Sequence, residues 1–310
     1  MVSDTAGDKP GWQRAFLEHH RLDEQYLEAA ATWFEPLATR IAMHQKGAAG
    51  PLLVGVNGSQ GSGKTTLCDY LVQSLTHNHA LRAHAMSLDD FYLTRAERQH
   101  LAEQVHPLFA TRGVPGTHDH ALLDETLNAL LGGAGDANVA VPTFEKLRDD
   151  RAPRERWLHV DLPVDVVLLE GWCLGAIAVT ADSLQDPVND LEATEDEALR
   201  WRTAVNTALH HQFPPLYRKI GLWVMLRAPS FECVYDWRRE QEDKLSAAEQ
   251  GADQPQPMDT PTLHRFISHF ERLTRQCLQD LPGKVHHLLT LDASRQVQAH
   301  RHNENPQPLW

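Results

Sequence analysis

Gly58-Ser59-Gln60-Gly61-Ser62-Gly63-Lys64-Thr65 has the form GxxxxGK[ST]. Small residues at these positions let successive backbone N–H groups turn inward around phosphate oxygens. Lys64 adds a mobile positive charge, and the Thr65 hydroxyl suits Mg²⁺. The chemistry such a cradle supports is the handling of a nucleoside triphosphate, with Thr66 continuing into a helix whose positive dipole end faces the phosphate. Two carboxylates recur at comparable places further on. Asp89 follows the 81–88 run, where it could accept the proton of an attacking hydroxyl or orient a hydrated Mg²⁺. Together with Asp90 it could instead cap the next helix. Glu170 closes the apolar 164–169 run, and a buried acid there is costly unless it faces water, a metal or a donor. Thr65, Asp89 and Glu170 are therefore the candidate Mg²⁺ group, and Lys64, Asp89 and Glu170 the candidate catalytic group.

These residues need strands to deliver them. The run 52–56 reads as a buried strand before the glycine-rich loop, and Leu67, Tyr70, Leu71 and Leu75 follow it at helical spacing. Further strands are expected at 81–88, 164–169, 220–226 and 286–291, separated by helices at 122–131, 199–209, 231–245 and 261–281. Thr260 and Pro261 mark the start of the last helix. Alternation of this kind predicts an α/β fold: a doubly wound parallel sheet of five strands with helices on both faces, carrying ligands at the carboxyl ends of its strands. Tyr26, Ala30, Trp33, Phe34, Leu37 and Ile41 mark an amphipathic helix over 23–44, which belongs to an N-terminal helical extension, 1–50. The main domain is expected over 51–297 and a flexible tail over 298–310. Residues 1–11, 132–138 and 250–257 read as loose, and 182–197 as an acidic, solvated insertion.

The chain has 310 residues and a formal charge of −13. That charge argues against a broad nucleic-acid surface, which needs clustered Lys and Arg, but leaves room for a small anionic ligand in a locally cationic pocket. The four cysteines form no CxxC pair and read as free thiols of a reducing compartment. With no signal-peptide pattern at the start and no apolar run of membrane-spanning length, a cytoplasmic protein without a membrane partner is expected. No Asn-Lys-x-Asp guanine-recognition motif occurs.

Four stretches, taken in order, narrow the reading: 54–66, Ser87-Leu88-Asp89-Asp90-Phe91-Tyr92, Thr111-Arg112-Gly113-Val114-Pro115-Gly116-Thr117-His118-Asp119, and Val167-Leu168-Leu169-Glu170-Gly171-Trp172. They resemble the serial motifs of the D-glycerate 3-kinase family, a branch of the P-loop kinases that includes phosphoribulokinase and uridine kinase. The resemblance implies the three-layer P-loop NTPase fold, with ATP and Mg²⁺ on residues 58–66 and Asp89 as base. By the same resemblance, His118 and Asp119 shape the acceptor pocket, and Arg238 and Arg239 stand on a lid helix over the phosphates. D-glycerate carries a carboxylate that calls for a cation, ideally an arginine fork. Arg112, Lys146 and Arg148 are the candidates, with Asn189 a further pocket candidate. Where the plant pattern has a tyrosine and an aspartate before the lysine, this chain has Phe144 and Glu145. The branch also contains kinases of pantothenate, nucleosides and sugar phosphates, and a slow ATPase or nucleotide switch is the reading from outside the small-molecule kinases.

Overall fold

A computed structural model of the protein describes residues 11–132, 138–248 and 259–309. The expected loose segment 250–257, most of 132–138 and the first ten residues lie outside these. The central sheet has six strands: Leu52–Gly58, Ala83–Ser87, Val166–Gly171, Leu222–Arg227, His287–Leu291 and Val297–His302. Leu52–Gly58 lies in the middle, with Val166–Gly171 and then Ala83–Ser87 on one side and Leu222–Arg227, His287–Leu291 and Val297–His302 on the other. The first five strands pair in parallel. The sixth is antiparallel and forms an edge. The flexible tail expected from residue 298 is therefore corrected over its first five residues. Val297–His302 carries a single large apolar residue, Val297, which hid it, and its anchor is the hydrogen-bonded pairing to His287–Leu291.

Because both faces of the sheet are covered, the central strands are apolar throughout, and alternate residues enter two cores. Leu53, Val167, Leu169 and Met225 enter one. Val54, Val56, Val166, Leu168 and Val224 enter the other, together with Leu67 and Leu71 of the helix Lys64–His79. The N-terminal helices Gly11–His20, Gln25–Ala29 and Glu35–Lys46 pack on this second core through Phe16, Leu27, Leu37 and Ile41. Their seat is fixed by Glu35, whose carboxylate accepts hydrogen bonds from Tyr70 at 2.7 Å and Ser74 at 2.9 Å. The expected single helix over 23–44 contains a π turn, Ala30–Phe34. Pro36 explains it, since proline has no N–H to give to the carbonyl four residues back.

The helix expected over 199–209 runs on as Arg200–Tyr217 through Pro214 and Pro215, because burying Phe213, Leu216 and Tyr217 outweighs the lost backbone bonds. The helix expected over 261–281 is two, Thr260–Ser268 and Glu271–Asp280, joined at His269 and Phe270. Two short antiparallel pairs escaped the sequence: Asn138–Val141 with Leu158–Asp161, and Phe144–Glu145 with Asp150–Arg151. The second pair forms a hairpin bearing Lys146 and Arg148.

Candidate active site

The phosphate loop leaves its strand at Gly58 and enters the helix Lys64–His79 at Lys64, with Gly61 and Gly63 at φ +75° and +87°. Register brings the acidic residues to the same edge: Glu170 lies beside Val56 on one side and Ser87 on the other. Asp89 is two residues past Ser87, on the 3₁₀ turn Leu88–Phe91, and its N–H is capped by the Ser87 hydroxyl at 3.3 Å. This is the switch point of the sheet, where the chain departs to opposite sides of the central strand.

A cleft of about 250 Å³ opens there, lined by Gln60, Gly61, Gly63, Lys64, Thr65 and Thr66 on the loop side. Asp89, Tyr92, Arg112 and Lys146 face it from the other wall, and Trp172, Arg238, Phe266 and Phe270 complete it. The Thr65 hydroxyl donates to Glu170 at 2.8 Å, and Lys64 Nζ lies 3.6 Å from the other Glu170 oxygen. Burial works against the charge on Lys64, but Glu170 and Asp89 outweigh it and hold the ammonium above its ordinary pKa. Asp89 accepts from the Tyr92 hydroxyl at 2.7 Å and lies 3.6 Å from Lys146 Nζ. Burial pushes its pKa up, yet Lys146, Lys64 and the Tyr92 bond together bring it below the ordinary aspartate value. The neighbouring Asp90 goes the other way, to about 6, mainly through burial. Its carboxylate accepts from the Phe144 N–H at 3.1 Å and so pins the hairpin that carries Lys146.

Arg112 projects from the 111–119 loop, pairs with Asp149 and lies 5.4 Å from the centre of the Phe144 ring. Asp149, at φ +54°, also takes Arg98, whose side chain is fully buried. Gly113 permits this loop its course: its φ is +133°, and a Cβ there would sit 2.2 Å from the Phe270 ring. Trp172 Nε1 bonds the Gly113 carbonyl at 3.1 Å.

The other sequence candidates are placed differently. His118 is buried beneath Tyr92, its ring centre 4.7 Å away, and its pKa falls to about 3 through burial and the adjacent His120. Asp119 caps the helix His120–Leu131 through Leu122 N–H at 3.0 Å and pairs with Arg151 at 3.1 Å. Both stand behind the wall that Tyr92 forms. Arg148 is exposed and pairs with Glu145 at 3.3 Å. Arg239 pairs with Asp236 at 3.1 Å away from the cleft, while Arg238 lines it. Asn189 caps the helix Asp190–Glu195 and bonds Glu271 and the Ser268 carbonyl. The 182–197 insertion is not merely solvated. Glu192 and Asp196 are buried and held by Arg202 and Arg272, which bonds Glu192 at 2.8 and 2.6 Å. Tyr92, the ring that shields Asp89 and bonds it, was missed as a site residue. Its signal was its place three residues after Asp89, one turn on.

No protein-family model matches the chain. It is 32% identical over 244 residues to an uncharacterized kinase of Schizosaccharomyces pombe, a match covering 76% of this chain and 84% of that one. It is 34% identical over 203 residues to the chloroplastic D-glycerate 3-kinase of Arabidopsis thaliana, covering 62% of this chain and 41% of the plant protein. Among solved structures, the D-glycerate 3-kinase of Cryptococcus neoformans is similar with a TM-score of 0.68 at 26% identity, covering 86% of this chain and 99% of that one. Sequence likeness over most of a relative, a shared fold and the phosphate loop facing Asp89 across one cleft agree: the chain belongs to the D-glycerate 3-kinase family of P-loop kinases.

Proposed function

We propose that the protein is an ATP-dependent kinase that phosphorylates D-glycerate to 3-phosphoglycerate. The observation that carries this reading is the single cleft in which the phosphate loop, Asp89 and three cations not belonging to that loop, Arg112, Lys146 and Arg238, meet. ATP sits with its phosphates on 58–66. Asp89 takes the hydroxyl proton of the acceptor as the γ-phosphoryl group moves in line, and Lys64 and Arg238 face the charge that spreads over the transferring oxygens. Arg112 presents a guanidinium to the acceptor carboxylate, and Lys146, 3.6 Å from Asp89, stands between the two functions. Trp172, Phe266 and Phe270 exclude water.

The residues also fit Mg²⁺. Among the described residues no cluster of three or more His, Cys, Asp or Glu makes a metal cage, and Mg²⁺ at phosphates needs none, being held by one or two protein oxygens, water and the nucleotide. Thr65, Glu170 and Asp89 supply oxygens at the cradle. The Ser59 and Ser62 hydroxyls are buried without a hydrogen-bond partner among the described residues, which fits a polar group at the cradle. When bound, the ion would neutralise negative charge on the phosphates.

The test is a panel of acceptors followed by ADP release, with the product identified by mass and position. D-glycerate yielding 3-phosphoglycerate is the expected result. A dominant response to pantothenate, a nucleoside or a sugar phosphate would displace glycerate while keeping the kinase. ATP hydrolysis indifferent to every acceptor would reject the transfer reaction.

A further inference from the structure

The turn between the last two strands reaches across the sheet to the phosphate loop. Arg295 donates from Nε to the Gly61 carbonyl at 2.9 Å, and its Nη2 pairs with Glu240 on the helix Phe231–Ala248. The same guanidinium lies 5.5 Å from the centre of the Trp237 ring. Trp237 in turn donates from Nε1 to the Ala293 carbonyl at 2.7 Å. Gly61 and Trp237 touch directly, since a Cβ on Gly61 would lie 2.8 Å from Trp237 Cβ. Phosphate loop, helix and turn thus form a closed ring of contacts, and Arg238, which lines the cleft, lies next to Trp237 within it.

Two features separate this from an ordinary surface pair. Arg295 adopts φ +67°, a left-handed conformation that glycine takes at less cost, in a turn otherwise held by Asp292 through Ser294 N–H at 2.8 Å and Gln296 N–H at 2.9 Å. A backbone that would favour glycine carries the longest cationic side chain, and the side chain is what meets the loop. The Arg295 and Glu240 side chains are 28% and 44% exposed, so the ion pair by itself adds little stability. Its effect is geometric, because one planar group bonds the phosphate loop and the helix that brings Arg238 to the cleft.

We propose that Arg295 is a positioning residue for the phosphate donor: it locks the helix Phe231–Ala248 to the phosphate loop and so fixes the nucleotide half of the site, while leaving the acceptor half alone. The proposal rests on the kinase reading above.

The experiment measures ATP·Mg²⁺ affinity by calorimetry without acceptor, then KM for ATP and for the acceptor, on the full chain and on Arg295→Gly, Glu240→Gln and the double variant. Arg295→Gly removes the side chain and relieves the backbone, so its melting temperature is expected to hold or rise. Its ATP Kd is expected to rise about tenfold, with acceptor KM within about twofold. Glu240→Gln is expected to weaken ATP by a few-fold, and to add almost nothing in the double variant, as members of one network do. Unchanged ATP affinity in Arg295→Gly would overturn the proposal, as would an equal rise in acceptor KM. Should Arg295→Gly fail to fold, unchanged ATP affinity in Glu240→Gln would overturn it equally. A wild-type chain that does not bind ATP would instead overturn the kinase reading, and this proposal with it.

Discussion

In the proposed reaction Asp89 is the base, and its surroundings decide its charge. Two lysines and a tyrosine hydroxyl act on one half-buried carboxylate, and their combined pull exceeds the desolvation cost. It is therefore ionised at neutral pH and can accept a proton only as the transferring group departs. Tyr92→Phe deletes one of these donors. The expected result is a fall in kcat of about tenfold, the value of one hydrogen bond to a charged group. The acid limb of the pH–rate profile should also move toward higher pH, because the lost bond had lowered the Asp89 pKa; an unmoved limb would dissociate Tyr92 from the base. The meeting of Lys64, Thr65, Asp89 and Glu170 at one edge of the sheet was legible in the sequence, the first two from the glycine-rich motif and the other two from recognisable strand ends. Arg98 and Asp149 were not. Their meeting spans 51 positions, and a fully buried arginine looks like any other in a string of letters.

At the scale of elements, the site depends on what helices and loops turn toward the cleft. The break between Thr260–Ser268 and Glu271–Asp280 lets Phe270 face Gly113 and Trp172, the rings of Trp172 and Phe270 meeting edge-on at 5.0 Å. Nothing in Ser268-His269-Phe270-Glu271 announces a break, since it contains neither glycine nor proline; the tertiary contact makes it. Asp119 shows the converse. Its motif suggested the acceptor pocket, whereas its carboxylate is occupied by the Leu122 N–H and Arg151. Asp119→Ala is accordingly expected to cost about 1 kcal/mol of stability through the lost cap, with Asp119→Asn recovering most of it. Urea midpoints of the two variants check this, and an unchanged midpoint with a raised acceptor KM would return Asp119 to the pocket.

For the whole molecule, the order of elements was legible from alternating apolar runs, because a sheet buried on both faces needs continuous hydrophobic strands. The edge strand and the hairpins were not, because backbone pairing leaves little trace in polar residues. That edge brings His287 against His300 at 3.0 Å, and burial, together with the nearby His300, His302 and Arg40 side chains, lowers the His287 pKa to about 3. His118 and His120 fall to about 3 and about 4, again mainly through burial. All three are neutral when folded and would take up protons when unfolded near the ordinary value of about 6.5. Their contribution to stability is therefore complete above that value and is lost as pH falls from about 6.5 toward 3. Urea midpoints should drop between pH 7 and pH 5, and His287→Gln should flatten the dependence. A midpoint independent of pH would contradict the buried, neutral histidines.

The account rests on an alcohol losing its proton to Asp89 while the phosphate loop holds the donor, and turnover of Asp89→Asn with D-glycerate, measured beside its ATP affinity, tests this most directly. Turnover is expected to fall by roughly 10² to 10⁴ with ATP affinity within about twofold of wild type. Turnover close to wild type, at unchanged ATP affinity, would contradict it.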